Sequence, residues 1–229
     1  MLKKNCICPL CRSPAFFFCT VAQNPIRSYY RCEVCRLVFL DRTWLPTPTE
    51  EKKIYDLHQN SPSDPHYRRF LNRIYQPMQQ CIESGSYGLD FGSGPGPTLS
   101  VMFEESGHRM EIYDPFYAPH LERLNQQYDF ITTSETVEHL HYPERELNRL
   151  WSILKPGGWL GIMTKRFDDS QAIDLSAKIK AFSRWHYIQC PTHVIFFSID
   201  TFRWLSQHWR VSEMLIADND VVLLRKPKV

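Results

Sequence analysis

The chain has 229 residues, 43% of them apolar and 23% charged, with a formal charge of +2. That balance excludes a disordered or fibrous chain, and the length suits one main domain with its own core plus a small appendage. No apolar run is long enough to cross a bilayer and Met1-Leu2-Lys3-Lys4-Asn5-Cys6 lacks a signal-peptide core, so a cytoplasmic protein with no membrane partner is expected. The charge is uneven: residues 1–42 hold seven Lys/Arg against Glu33 and Asp41, a net +5, which leaves about −3 for the rest. A basic front is either a solvated face or a surface for RNA or an acidic partner.

Two Cys-x-x-Cys pairs open the chain, Cys8-Pro9-Leu10-Cys11 and Cys32-Glu33-Val34-Cys35, twenty residues apart. Four thiolates at this spacing suit a closed, tetrahedral structural zinc site. Cys6 competes with Cys8, and the tighter spacing favours Cys8. Strands around Phe16-Phe17-Phe18 and Ser28-Tyr29-Tyr30-Arg31 would form the hairpin of a zinc ribbon over residues 1–42. So short a segment cannot bury enough apolar surface alone, so the metal would supply folding energy. Disulfides are the alternative, disfavoured among reduced thiols. Cys19, Cys81 and Cys190 read as buried thiols.

Residues 43–65 form a proline-rich joint with a short helix, where Thr47 and Glu50 make a capping box and Pro48 takes the first helical position. The main domain, 66–229, begins with a helix after Asp64-Pro65. Phe70, Ile74, Met78 and Ile82 give it one apolar stripe, and Pro77 should kink it.

A strand at Tyr87-Gly88-Leu89-Asp90-Phe91 then enters the turn Gly92-Ser93-Gly94-Pro95-Gly96, and Asp114 closes the next strand 22 positions after Gly92. Such a turn lets backbone approach a ligand, and an acid on the neighbouring strand's tip can accept from ribose hydroxyls. Pro97 stands where a dinucleotide fingerprint has its third glycine, which disfavours a dehydrogenase. Asp90 is awkward beside a pyrophosphate but suits an ammonium group.

The remaining elements follow in order: a helix over 97–106, a strand over 109–114, a short helix near 119–125 and a strand over 129–133. Only fourteen residues separate Asp114 from Asp129, too few for a helix and a further strand. Next come a helix over 143–154, the Pro156-Gly157-Gly158 turn and a strand over 159–163. An aromatic, basic and partly helical insertion spans 165–192, a helix runs over 200–207, and a closing hairpin over 211–225 turns at Asp218-Asn219-Asp220. The fold class is α/β: a Rossmann-like, doubly wound, mostly parallel sheet with an antiparallel C-terminal hairpin.

The run from Gly88 to Thr164, with Asp90, the three turn glycines, Asp114 and Lys155-Pro156-Gly157-Gly158, resembles the class I S-adenosylmethionine-dependent methyltransferases. The likeness is nearest to the ubiquinone-biosynthesis group. It implies that Asp90, Gly92, Ser93, Gly94, Gly96, Asp114, Ser134 and Glu135 bind S-adenosylmethionine. Ser134-Glu135-Thr136-Val137-Glu138-His139 would bring Glu135, Glu138 and His139 onto one face if a helical turn begins there. This Glu-x-x-Glu-His pattern resembles the ubiquinone-biosynthesis O-methyltransferases and the small-RNA 3′-terminal 2′-O-methyltransferases, both associated with a metal; the latter also take a distal histidine, for which His193 is the candidate. Glu135, Glu138, His139 and His193 would then hold Mg²⁺, or His139 or His193 would act as general base without metal, with Glu138 in support. Trp185, His186 and Tyr187 either wall the acceptor pocket or belong to the core.

The leading expectation is methyl transfer from S-adenosylmethionine to a small-molecule acceptor, through an oxygen nucleophile. An RNA methyltransferase with the ribbon as its RNA-binding module is the alternative. A non-catalytic zinc-ribbon interaction protein comes third.

Overall fold

A computed structural model describes residues 6–22 and 25–228; Lys3 and Lys4 of the basic front lie outside them. Four strands open the chain: β1 (Cys6–Ile7), β2 (Pro14–Val21), β3 (Arg27–Cys32) and β4 (Val38–Leu40). Each Cys-x-x-Cys pair lies in a turn between consecutive strands. In both turns the amide of the first cysteine donates to a carbonyl five residues on, Cys8 to Ser13 at 2.9 Å and Cys32 to Leu37 at 3.0 Å. Arg12 and Arg36, each just after the second cysteine, have left-handed φ of 60° and 62°. The two knuckles therefore share one local geometry.

Helix α1 (Pro48–Tyr55) starts on the Thr47–Glu50 capping box with Pro48 at its first position. Helix α2 (Pro65–Gln79) is capped by Asp64 and runs on through Pro77. Its fully buried stripe is Leu71, Ile74 and Met78, while Phe70 and Ile82 stand at its flank.

The main sheet is built from β5 (Tyr87–Phe91), helix α3 (Thr98–Glu105), β6 (Arg109–Tyr113), β7 (Tyr128–Ser134), helix α4 (Pro143–Ile153) and β8 (Leu154–Met163). The chain continues through α5 (Leu175–Arg184), β9 (Ile195–Phe196), α6 (Ile199–His208), β10 (Glu213–Ala217) and β11 (Val221–Arg225). Strand order in the six-stranded sheet is β10-β11-β8-β7-β5-β6, parallel from β8 to β6 and antiparallel through the C-terminal hairpin. Strand β6 is the edge. Among the described residues no strand lies beyond it, and a 3₁₀ turn at Leu121–Asn125 occupies the short connection. Central β7 is almost wholly buried, as expected of a strand covered on both faces. Asp129 ties its start to both neighbours, accepting from the Tyr87 amide at 2.9 Å and from Lys155 Nζ at 2.8 Å.

The first four strands form a second, antiparallel sheet, and β9 completes it at the β4 edge. Phe182 of α5 is the hub of the shared core, its ring 5.5 Å from Phe18, 5.1 Å from Tyr29 and 5.2 Å from Phe196. The front sheet and the α4 side of the main sheet bury one continuous apolar cluster. A second cluster lies under α2 and α3.

Candidate active site

The β5–α3 turn is built around Asp114, at the tip of the neighbouring parallel strand. Its Oδ2 accepts from the Gly94 amide at 3.0 Å, and its Oδ1 from the amides of Phe116 and Tyr117 at 2.8 and 3.1 Å. A carboxylate offers about four lone pairs, so three are already used in fixing the turn and the loop after β6. The glycines are required for different reasons. At Gly94, with φ +65°, a Cβ would project into open space. At Gly96 a Cβ would stand 2.1 Å from the Asn60 carbonyl oxygen, because the segment after α1 lies directly on the turn.

Two buried polar side chains lie at the same place. Ser93 Oγ is buried and unbonded. Asp90 is 4% exposed and receives Thr132 Oγ1 at 3.0 Å; burial pushes its carboxyl up to about 7, against the pull of that hydroxyl. An open glycine cradle, an unbonded hydroxyl and a buried acid in need of a cation fit a ligand that carries hydroxyls and an ammonium. Ser134 closes β7, its carbonyl accepting from Thr136 at 3.0 Å.

After β7 the chain does not enter a helix. Glu135 has a left-handed φ of +48°, and only a 3₁₀ turn follows, Val137–His139. A left-handed backbone is uncommon for a non-glycine residue, and here it turns the chain sharply at the tip of β7. Glu138, His139 and His193 converge, with ligand-type atoms all within 4.8 Å of one another; Glu135 stands outside that trio. Glu138 is fully buried, and its oxygens accept from Tyr187 OH and from Thr164 Oγ1 at 2.9 Å. Burial raises its pKa.

Each histidine is oriented by a backbone carbonyl, His139 Nδ1 on Thr192 and His193 Nδ1 on Tyr187, both at 2.8 Å. A carbonyl can only accept, so both Nδ1 atoms carry the proton and both Nε2 atoms present lone pairs. Burial lowers both imidazoles, His139 to about 3, with the His193 charge as its second cause. Glu135 has one oxygen 3.3 Å from Tyr187 OH, while its Oε1 is buried without a partner. Burial first, then the charges of Glu138 and Asp220, push its carboxyl up to about 8.

Of the three aromatic residues singled out in the insertion, Tyr187 alone reaches this centre. Trp185 packs among Phe167 and Phe196, and His186 is exposed and accepts from Lys165 Nζ at 2.8 Å. Thr164 and Tyr55 were not foreseen. The Tyr55 ring sits 5.3 Å from His139, edge-on, and 5.6 Å from Phe116, so α1 bridges the histidines and the loop after β6. A polar residue ending an apolar strand was the available signal for Thr164; the joint held none for Tyr55.

The four knuckle cysteines also converge, Cys8 Sγ 3.5 Å from Cys35 Sγ and Cys11 Sγ 3.3 Å from Cys32 Sγ, all as free thiols. Cys6 is outside the group, as are Cys19, Cys81 and Cys190. A cleft of about 340 Å³ between β2, β3 and α5 is lined by Arg31, Arg36, Lys178, Asp169, Asp174 and Asp200, cations balanced by carboxylates.

A family model described as a methyltransferase domain matches residues 64–208, from the cap of α2 to the end of α6. The chain belongs to that family. Curated ubiquinone biosynthesis O-methyltransferases from Salmonella newport and Klebsiella pneumoniae are 32% and 31% identical to it over 71 residues, or 31% of this chain. The chain spans 29% of the length of those relatives. Among solved structures, an O-methyltransferase family protein from Burkholderia thailandensis shares the fold, with a TM-score of 0.51 and 13% identity over 81% of this chain and 65% of that one. A putative S-adenosylmethionine-dependent methyltransferase from Methanococcus maripaludis gives a TM-score of 0.49 at 15% identity, over 78% of this chain and 93% of that one. Among the described residues no helix is long and apolar enough to cross a membrane.

Proposed function

We propose that the protein transfers the methyl group of S-adenosylmethionine to an oxygen of a small-molecule acceptor, with Glu138, His139 and His193 holding a divalent metal ion beside it. One observation carries this reading: ligand-type atoms of the buried Glu138 carboxyl and of His139 and His193 lie within 4.8 Å of one another, at a turn whose Thr136 hydroxyl donates to the Gly92 carbonyl of the cofactor turn. A single general base needs one such group; a carboxyl and two imidazoles together suit a cation. Neutral imidazoles with one carboxylate favour Mn²⁺, Fe²⁺, Co²⁺ or Zn²⁺ over the Mg²⁺ expected from the Glu-x-x-Glu-His resemblance. When bound, the ion lowers the pKa of a hydroxyl beside it.

The remaining work falls to the chain. The Asp90 carboxylate receives the cofactor's ammonium, and the Ser93–Gly96 backbone and Asp114 fix the adenosine end. The acceptor hydroxyl gives its proton to the unpartnered Oε1 of Glu135 as its oxygen attacks the methyl carbon. The carbon–sulfur bond breaks, its electron pair stays on sulfur, and a neutral thioether leaves. Positioning supplies most of the acceleration, because the leaving group is already activated.

The knuckle thiols act separately. Their matched geometry supports one structural zinc held by Cys8, Cys11, Cys32 and Cys35, closed to substrate. Residues 1–42 are then the zinc ribbon, 43–65 the joint and 66–229 the catalytic domain. Of the described basic residues in the front, Arg27 and Arg31 are buried, Arg31 paired with Asp169, while the Arg12, Arg36 and Arg42 side chains reach solvent, so an RNA-binding role for the ribbon stays as the second reading. Transfer of tritiated methyl from S-adenosylmethionine to a panel of phenols, catechols and polyols tests the proposal, with and without chelator. Glu138→Gln and His193→Gln should abolish transfer while S-adenosylhomocysteine still binds; full transfer in either variant contradicts the assignment.

A further inference from the structure

The front sheet does more than carry a metal. The Cys32–Cys35 knuckle is the turn of the β3–β4 hairpin, with Arg31 paired to Val38 and Tyr29 to Leu40. Strand β4 in turn pairs with β9, Val38 opposite Phe196 and Phe39 opposite Ile195. The Leu40 amide donates to the Val194 carbonyl at 2.8 Å, and the Val194 amide donates to the Glu138 carbonyl at 2.8 Å. His193 directly precedes that doubly bonded residue. The backbone path from knuckle to histidine is thus continuous, made of the β3–β4–β9 ladder and two further backbone hydrogen bonds at Val194.

Side chains reinforce it. Phe196 of β9 packs against Tyr29 of β3 at 5.9 Å and against Phe182 and Trp185 of the insertion. Arg31 and Asp169 form a largely buried ion pair at 2.6 Å between β3 and the start of the insertion. At the other knuckle the Glu144 amide donates to the Pro9 carbonyl at 3.4 Å, at the start of the helix that follows His139. A two-residue strand such as β9 has too little of its own hydrogen bonding to hold a fixed place; its partner strand supplies it.

We propose that the knuckle sheet is a positioning element of the reaction centre: the Cys32–Cys35 turn sets β4, and β4 holds the segment that delivers His193. The role of His193 rests on the functional reading above, whereas the positioning does not. Residues 38–40 touch no reacting atom and act through β9. Loss of the thiolate-bound ion loosens the β3–β4 turn, frees β9 and lets His193 leave Glu138. The cofactor turn, on β5 and β6, is outside this path.

Hydrogen exchange on the full chain tests this without an acceptor. Three preparations are compared with the native protein: one stripped with a strong zinc chelator under reducing conditions, Leu40→Pro, which removes the donor to Val194, and Leu40→Ala, which keeps it. The stripped protein and Leu40→Pro should exchange amides 192–197 at least about tenfold faster, with Leu40→Ala changed less, while 87–91 and 128–133 keep their protection. The His193 Nδ1–H resonance should broaden in the same two samples, and S-adenosylhomocysteine should bind within about twofold of native affinity. Unchanged exchange at 192–197 overturns the proposal, and so does acceleration spread evenly through 87–91 and 128–133, which marks a general stabiliser. His193→Gln tests the histidine's own role: lost transfer with 192–197 still protected upholds it, and retained transfer refutes that role alone.

Discussion

Asp90 offers the sharpest test of how the cofactor is held. It is almost fully buried, its pKa is raised from 3.8 to about 7 chiefly by desolvation, and its partner is the Thr132 hydroxyl. Burial therefore makes its charged form costly, the more so the further the pH lies below 7. An arriving ammonium offsets that cost and needs the carboxylate charged. Above pH 7 the acid is already ionised; below it a proton must leave first, so affinity falls about tenfold for each pH unit of acidification. S-adenosylhomocysteine should thus bind about tenfold more weakly at pH 6 than at pH 8, with proton release seen by calorimetry in buffers of different ionisation enthalpy. Methylthioadenosine, which lacks the amino-acid moiety, should show no such slope. Asp90→Asn keeps an acceptor for Thr132 yet should lose the slope and about 10- to 100-fold of affinity at pH 8, the worth of a charge-assisted hydrogen bond. If Asp90→Asn binds the homocysteine ligand as the native protein does, with the same slope, the ammonium is not at Asp90.

Other substitutions separate neighbouring explanations. Gly94→Ala should cut cofactor affinity more than tenfold with a small change in melting temperature, whereas Gly96→Ala, whose Cβ meets the Asn60 carbonyl, should lose about 1–3 kcal/mol of stability in urea unfolding. Tyr187→Phe removes the hydroxyl bound by Glu138 and should lower both turnover and stability, the latter by about 1–3 kcal/mol, without weakening S-adenosylhomocysteine. Phe182→Ala empties the joint core and should cost about 3–5 kcal/mol in the same unfolding assay. Mass spectrometry of metals should find the knuckle zinc, one equivalent per chain that is lost in Cys32→Ser and kept in Cys81→Ser and in His193→Gln.

What the sequence disclosed was local. The capping box at Thr47 and Glu50, the two knuckles, the glycine turn and the strand missing between Asp114 and Asp129 are each written in a few consecutive residues, and all are in the structure. What it concealed depends on distant pairing. No property of Ile195–Phe196 says that it pairs with Val38 and Phe39 in a sheet from the front of the chain, and that pairing places His193. The helical face imagined for Glu135, Glu138 and His139 failed because Glu135 is left-handed and the following turn is 3₁₀. Asp114 shows a third kind of gap: its place was legible, but three backbone amides had already claimed its oxygens. In the α2 stripe Ile74 and Met78 are fully buried and Phe70 and Ile82 pack partly buried against the same cluster, while Leu71, which the four-residue period skips, is buried with them.

The account stands or falls on where the methyl donor sits, and a crystal structure with S-adenosylhomocysteine decides that directly. The predicted map has the adenosine against Gly94 and the Asp114 tip, the ammonium on Asp90, and the sulfur facing Glu135 and the Glu138–His139–His193 group. A ligand found elsewhere, or a turn left empty at saturating concentration, contradicts it.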